Sequence, residues 1–200
     1  SATALYEIPY LDGVFCEKQV TDVHPNLSRG TVSGTASFQI ENITGTEQMV
    51  AFAINPGYEV NSVQANGQPV PFEIDNYQES NMALLNVTIP DLESIDLCFD
   101  YQGFPQDWNL METMQGKPEI SSKYLCLENQ TLAPMIMNVG TADGLFSSIT
   151  DITLPDTMTV IPFGLAEAKK EVEHDNGTIT WRIEDTGTGG ILYAGDYVRQ

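Results

Sequence analysis

The sequence predicts an all-β protein, a single antiparallel β-sandwich or saddle-like domain over residues 1–200 with one long loop. Three observations carry this. Apolar residues alternate with polar ones in short runs, Asn-Gly dipeptides sit between paired runs, and helical evidence is thin, being limited to a run of helix formers at 165–173. At 200 residues with 42% hydrophobic and 18% charged side chains, the chain can bury a substantial core.

The elements follow in order. Residues 31–42 read T-V-S-G-T-A-S-F-Q-I-E-N, and 48–54 supply a second apolar run after the turn-like Thr44-Gly45-Thr46, so the two are expected to form a hairpin. Residues 60–65 and 68–74 flank Asn66-Gly67, a pair that accepts the positive φ angles of a tight type I′ turn. Runs at 82–89 and 95–101 continue the pattern. Residues 103–122, rich in Pro, Gly, Met and polar side chains, lack it and are expected to be an extended loop, the first place to look for partner contacts. Strands are then expected at 147–154, 158–162 and 190–198, with Asn176-Gly177 repeating the hairpin device between 169–174 and 178–183. Residues 165–173 contain helix formers but precede that turn, so they read as strand, a short helical turn being the alternative.

Charge excludes some partners. With 28 acidic and 8 basic residues the formal net charge is −20, which repels phosphate backbones and anionic lipid surfaces and attracts cationic peptides or amines. Nucleic acid is therefore not an expected partner; the same acidity also serves solubility. No apolar run approaches the roughly 20 residues of a membrane-spanning helix, so this segment is expected to make no membrane contact of its own. The first residue is Ser, which leaves room for a targeting or anchoring segment outside the sequence given. Cys16, Cys98 and Cys126 are an odd number at wide spacing, each in a strand-like run, and read as free thiols behaving as small hydrophobes.

The chemical inventory is sparse. His24 and His174 are the only imidazoles; His24, before Pro25, is expected in a turn, and His174 at the end of a hairpin strand. H-E-x-x-H and G-x-S-x-G do not occur. Calcium would need scattered acids such as Asp91, Glu93 and Asp96. No catalytic residue, metal ligand or cofactor is assigned to this chain. Five N-x-[ST] sequons begin at Asn26, Asn42, Asn86, Asn129 and Asn176, and read as turn chemistry in a chain rich in Asn, Ser and Thr.

Several segments in order carry a family resemblance. V-N-S-V-Q-A-N-G-Q-P-V-P-F at 60–72, N-V-T-I-P from Asn86, and I-D-L-C-F-D-Y-Q-G-F-P at 95–105 resemble the N-terminal β-domain of zinc aminopeptidases of the aminopeptidase N and leukotriene hydrolase type, nearest to the divergent bacterial branch fused to transporter-permease segments. I-S-S-K-Y-L-C-L-E-N-Q-T-L-A-P at 120–134 is similar to the segment that leads into their substrate cleft. I-T-L-P at 152–155, T-W at 180–181 and Y-A-G-D-Y at 193–197 continue the order.

The resemblance implies a non-catalytic domain, itself no enzyme, that packs on a catalytic domain of the same parent protein and helps position peptide. Zinc is then expected only in that downstream domain, and the setting is bacterial, extracytoplasmic or membrane-associated through the parent. Family members use a Gln or Glu of this domain to hold the substrate's α-amino group, and Glu128 is the position here that fits best. The family's F-P-C-x-D-E-P stretch is replaced by L-A-P-M-I-M-N-V. A free-standing extracytoplasmic binding or adhesion module is the alternative function, and a surface glutamate without a special role the alternative for Glu128.

Overall fold

The computed structural model describes residues 8–77, 81–111, 114–162, 164, 166–186 and 191–196. Strands in chain order are β1 (Val14–Asn26), β2 (Thr31–Asn42), β3 (Gln48–Ile54), β4 (Tyr58–Glu59), β5 (Val63–Ala65), β6 (Gln68–Pro69), β7 (Phe72–Tyr77), β8 (Met82–Ile89) and β9 (Ser94–Gly103). The second half adds β10 (Trp108–Met111), β11 (Met114–Gly116), β12 (Glu119–Ile120), β13 (Tyr124–Glu128), β14 (Met135–Ile136), β15 (Ser147–Pro155), β16 (Thr159–Pro162), β17 (Ala168–Glu173), β18 (Thr178–Asp185) and β19 (Ile191–Gly195). The only helical element among the described residues is a 3-10 turn at Asn129–Thr131. None is therefore long and apolar enough to cross a membrane.

The strands form a large sheet, β17-β18-β15-β1-β2-β9-β5-β6 with β4 on β9, two four-stranded sheets, β14-β3-β8-β7 and β12-β13-β19-β16, and the β10-β11 hairpin. Pairing is antiparallel with one exception among these strands. β1 and β15 run parallel, Lys18 opposite Ser147 through Val23 opposite Ile152, so the large sheet is mixed where an antiparallel one is expected.

The expected hairpin of β2 and β3 does not form. β2 pairs with β1 and β9 in the large sheet, whereas β3 pairs with β8 and β14 in another. The turn at 43–47 thus carries the chain across the sandwich. Asn42 holds that corner: buried, it donates from Nδ2 to the carbonyls of Thr46 (2.9 Å) and Pro90 (3.1 Å) and accepts from Thr44 N and Oγ1.

The two faces meet in an aromatic trio. Phe38 of β2 and Phe99 of β9 stand opposite Phe52 of β3, with ring centroids 4.7, 5.8 and 5.5 Å apart in edge-on and stacked geometries that aromatic quadrupoles favour. Leu125, Leu127, Leu192 and Ala194 belong to the same buried cluster as Ile152, Leu154, Ile179 and Trp181. β3 and β8 read as nearly continuous apolar runs because both their faces are covered: Ala53, Met82 and Leu84 form a second cluster with Trp108.

A bulge at Glu17 breaks the period-two rule in β1. Cys16 pairs with Ile40 and Lys18 with Gln39, so the buried positions shift from 14 and 16 to 19, 21 and 23. That shift turns the amide of Gln19 inward. The turn at Asn66-Gly67 is as expected, with φ of 50° and 80°, and joins the short pair β5-β6. The turn at Asn176-Gly177 differs: only Gly177 has positive φ (79°), and His174 N bonds Thr178 O at 2.9 Å, making a three-residue loop with glycine last.

The extended loop expected over 103–122 is corrected, since it contains β10, β11 and β12, its residues 112–113 lying outside the described ones. The strand reading of 165–173 is met by β17 over 168–173, residues 166 and 167 lying outside the strand and 165 outside the described residues, and of 190–198 the described part is 191–196. His24 lies in β1 and not in a turn.

Candidate functional site

The four-stranded sheet β12-β13-β19-β16 builds the site. β13 alternates strictly, Leu125 and Leu127 pointing into the core and Tyr124, Cys126 and Glu128 to the other face. Register sets Glu119 of β12 opposite Cys126, and Cys126 opposite Tyr193 of β19, so a carboxylate, a thiol and a phenol form one row across three strands. Glu128 is one pleat further along, and Cys126 Sγ donates to its Oε1 at 3.8 Å.

The β10-β11 hairpin borders this face. Trp108 is opposite Gly116 and lies over it so closely that a Cβ there would be 1.9 Å from its indole nitrogen; only glycine fits. Between the hairpin and the sheet is a cleft of ≈ 670 Å³, lined by Trp108, Tyr124, Cys126 and Tyr193, the acids Asp107, Glu119 and Glu128, the cation Lys117, and Asn81, Asn109, Gln115 and Gly116. Three carboxylates against one ammonium make it electronegative.

The chain leaving Glu128 is held by buried donors. Asn129 has φ of 49°, a left-handed turn that starts the 3-10 segment. Tyr58 OH donates to Thr131 O at 2.6 Å, Tyr101 OH to Leu132 O at 3.1 Å, and Gln19 Nε2 to Pro134 O at 2.7 Å. Asn55 joins the two walls of the cleft: its Nδ2 donates to Thr131 Oγ1 (2.9 Å) and Gln106 O (2.8 Å), and its Oδ1 accepts from Gln106 N. Burial raises both phenols above the usual tyrosine range, each helped by a nearby group, Tyr101 for Tyr58 and Asp22 for Tyr101. Both stay protonated donors.

Burial also pushes the Cys126 thiol up to about 11, and the carboxylates of Glu128 and Glu119 add to the shift. Tyr193 is raised by desolvation, then by Cys126 and Glu128. Near neutral pH neither group is a nucleophile, because each keeps its proton.

Of the residues singled out in sequence, Glu128 lies in this cleft, and so does much of 103–122. Trp108, Glu119, Tyr124 and Tyr193 were not foreseen. The alternation Y-L-C-L-E at 124–128 was a visible signal for Tyr124, but the row with Glu119 and Tyr193 depends on strand pairing. The three cysteines are free, Cys16 and Cys126 buried and Cys98 partly so, all in strands as expected. His24 Nε2 is 3.1 Å from Asp22 Oδ2, and His174 Nε2 is 2.8 Å from Thr180 Oγ1, each with its own partner.

Glu93 and Asp96 border a separate depression with Glu17 and Glu41. Among the described residues no three His, Cys, Asp or Glu side chains are grouped to hold a metal ion. Turn chemistry is visible at three sequons, where Asn26, Asn42 and Asn176 each accept the hydroxyl of the residue two positions on (Ser28, Thr44, Thr178).

No family model matches the sequence, and no curated protein matches it. Solved structures do match. The M1 zinc metallopeptidase of Deinococcus radiodurans, a mutant form bound to a Tyr-Ser-Ala substrate, superposes with a TM-score of 0.64 at 15% identity over 92% of this chain and 42% of its own. The fold is that of the N-terminal domain of M1 zinc metallopeptidases. A two-domain M1 zinc metallopeptidase mutant bound to L-arginine gives 0.64 at 14% identity over 94% of this chain and 43% of its own. Leukotriene A4 hydrolase of Saccharomyces cerevisiae gives 0.57 at 12% over 92% and 29%. The chain spans less than half the length of these M1 structures.

Proposed function

We propose that this chain is the non-catalytic β-domain of an aminopeptidase-like protein, that it packs on a catalytic domain of the same parent, and that Glu128 helps position peptide by its α-ammonium. The carrying observation is the placement of Glu128. It ends a core strand on the wall of the ≈ 670 Å³ cleft, in a fold shared with M1 zinc metallopeptidases, on a segment stapled by Gln19, Asn55, Tyr58 and Tyr101. A carboxylate carried at the end of a strand whose following segment is held in this way favours the charged form of an amine and would set where a peptide begins.

The remaining parts of the reading rest on the same fold. Peptide positioning by Glu128 requires no metal in this chain, and the family's zinc would be held by the catalytic domain. The net charge of −20 favours cationic ligands over nucleic acid. Through its parent the domain would work outside the cytoplasm or at a membrane.

Amide NMR of the 200-residue chain tests the reading, titrated with a free tripeptide and with its Nα-acetylated form. Binding by one charge-assisted contact should be weak, on the order of millimolar, with shifts centred on Tyr124, Glu128 and Tyr193. Acetylation of the peptide, or Glu128→Gln, should abolish them. Equal binding of the acetylated peptide, or shifts centred away from the cleft, would refute it.

A further inference from the structure

Two Asn-Gly steps occur in exposed turns, and they are held in opposite ways. Asn66 is tied to β9 by three hydrogen bonds: its N donates to Asp96 O (2.9 Å), its Oδ1 accepts from Asp96 N (2.8 Å), and its Nδ2 donates to Ser94 O (3.1 Å). Both ends of its carboxamide are thereby fixed to a strand that β2 and β5 flank in the large sheet. Asn176 is bonded only within its own turn, Oδ1 accepting from Thr178 Oγ1 (2.6 Å) and Thr178 N (3.3 Å). The nitrogen that follows it, Gly177 N, donates to His174 O at 3.4 Å, the long limit of a hydrogen bond. Gly177 is held on its other side, where its carbonyl accepts from Asp156 N at 2.9 Å, which leaves the reacting nitrogen unaffected.

We propose that Asn176 is a self-modifying position, deamidating through attack of the Gly177 backbone nitrogen on the Asn176 side-chain carbonyl carbon, while Asn66 is protected by its bonds to β9. The new N–C bond closes a five-membered succinimide. The Gly177 amide proton passes to solvent base, and the side-chain nitrogen takes up a proton and leaves as ammonia. Water then opens the ring at either carbonyl, giving aspartate or isoaspartate, so the balance is one water consumed and one ammonia released.

The consequence lies at a sheet edge. Isoaspartate adds one carbon to the main chain inside a three-residue loop that joins β18 to β17, the outermost strand of the large sheet. β17 carries Lys170, whose Nζ is 5.5 Å from the Trp181 ring. Loosening β17 uncovers that ring. The inference does not depend on the peptide reading.

The test is storage of the folded chain in mildly alkaline buffer, with peptide mass mapping of both steps, beside a urea-unfolded control in which both react freely. In the folded chain Asn176 should convert within a few-fold of its unfolded rate. Asn66 should be slowed by roughly 30-fold or more, because its side-chain bonds must open first. Conversion of Asn66 as fast as Asn176, or equal protection of both, would overturn the proposal. The aged protein should also show faster amide exchange in β17 and altered Trp181 emission, and Asn176→Asp, which adds the charge without the extra carbon, should show neither; the same change in that variant would refute the edge-loosening step.

Discussion

Tyr58 and Tyr101 offer a sharp test of how the cleft segment is held. Their rings are 5.1 Å apart, they are 4% and 1% exposed, and their hydroxyls donate to the adjacent carbonyls of Thr131 and Leu132. Tyr58→Phe keeps the ring and deletes the donor, leaving a buried carbonyl without that partner. The cost is about 1–2 kcal/mol, and the same holds for Tyr101→Phe. With a urea slope of about 2 kcal/mol/M, each midpoint falls by roughly 0.5–1 M at unchanged slope. The carbonyls are neighbours on one short segment, so the double variant should cost less than the sum, by about 0.5 kcal/mol or more. Amide exchange locates the effect: Leu132 and Ala133, whose N–H groups bond Asn129 O at 3.0 and 3.1 Å, should lose protection before β2 or β9 does. Two single variants within 0.5 kcal/mol of the parent, with exchange at 132–133 unchanged, would show that the hydroxyls do not hold the segment.

Other expectations rest on single contacts. An alanine at Gly34 would bring its Cβ to 2.4 Å from the Tyr101 ring, so Gly34→Ala should cost about 1–3 kcal/mol and lower the melting temperature by several degrees, read by calorimetry. Gly116→Ala collides with the Trp108 indole and should shift tryptophan emission to the red as the ring is displaced from the cleft border. Alkaline pH should destabilise the chain: Cys16 is raised from 9.0 to about 12 and Cys126 to about 11, chiefly by burial. The folded state then keeps protons that the unfolded state loses, so the contribution of Cys16 is intact below pH 9.0 and is lost as pH rises toward 12, by up to about 1.4 kcal/mol per pH unit, while Cys126, at the open cleft, adds less and only up to about pH 11. Urea midpoints that stay level over that range would contradict it. Asp151→Asn breaks the bidentate pair with Arg182 (2.9 and 3.0 Å) but should cost no more than about 1 kcal/mol by the same assay, because the pair is partly open to water.

What the sequence discloses is local. Alternation places β2, β9 and β18, because a half-buried strand must present one face to the core. Asn66-Gly67 predicts its turn because two consecutive positive φ angles are cheap only for such a pair. Where the chain changes sheets is not local. Thr44-Gly45-Thr46 reads like any hairpin turn, yet the buried carboxamide of Asn42 fastens the corner to Pro90, and that contact spans 48 residues. The parallel seam of β1 with β15 and the bulge at Glu17 are likewise set by partners, as strand pairing rewards contacts between segments that carry no mark of one another. In 103–122 the Pro, Gly and polar composition reads as loop, whereas the structure pairs strands there and uses Gly116 to admit the Trp108 ring.

The same distinction explains the site. Glu128 could be named from the segment it ends, but its surroundings come from Glu119 on one neighbouring strand and Tyr193 on the other, 65 residues beyond Glu128 in the chain. Once assembled, the groups divide by charge. Cys126 and Tyr193 keep their protons above neutrality because burial first, and after it neighbouring charge including that of Glu128, oppose a new anion there. At neutral pH the row therefore contributes a negative potential from its acids and a neutral, partly apolar floor between them. Such a surface attracts and orients a cation without exchanging a proton with it, which is what the proposed positioning of a peptide amine requires.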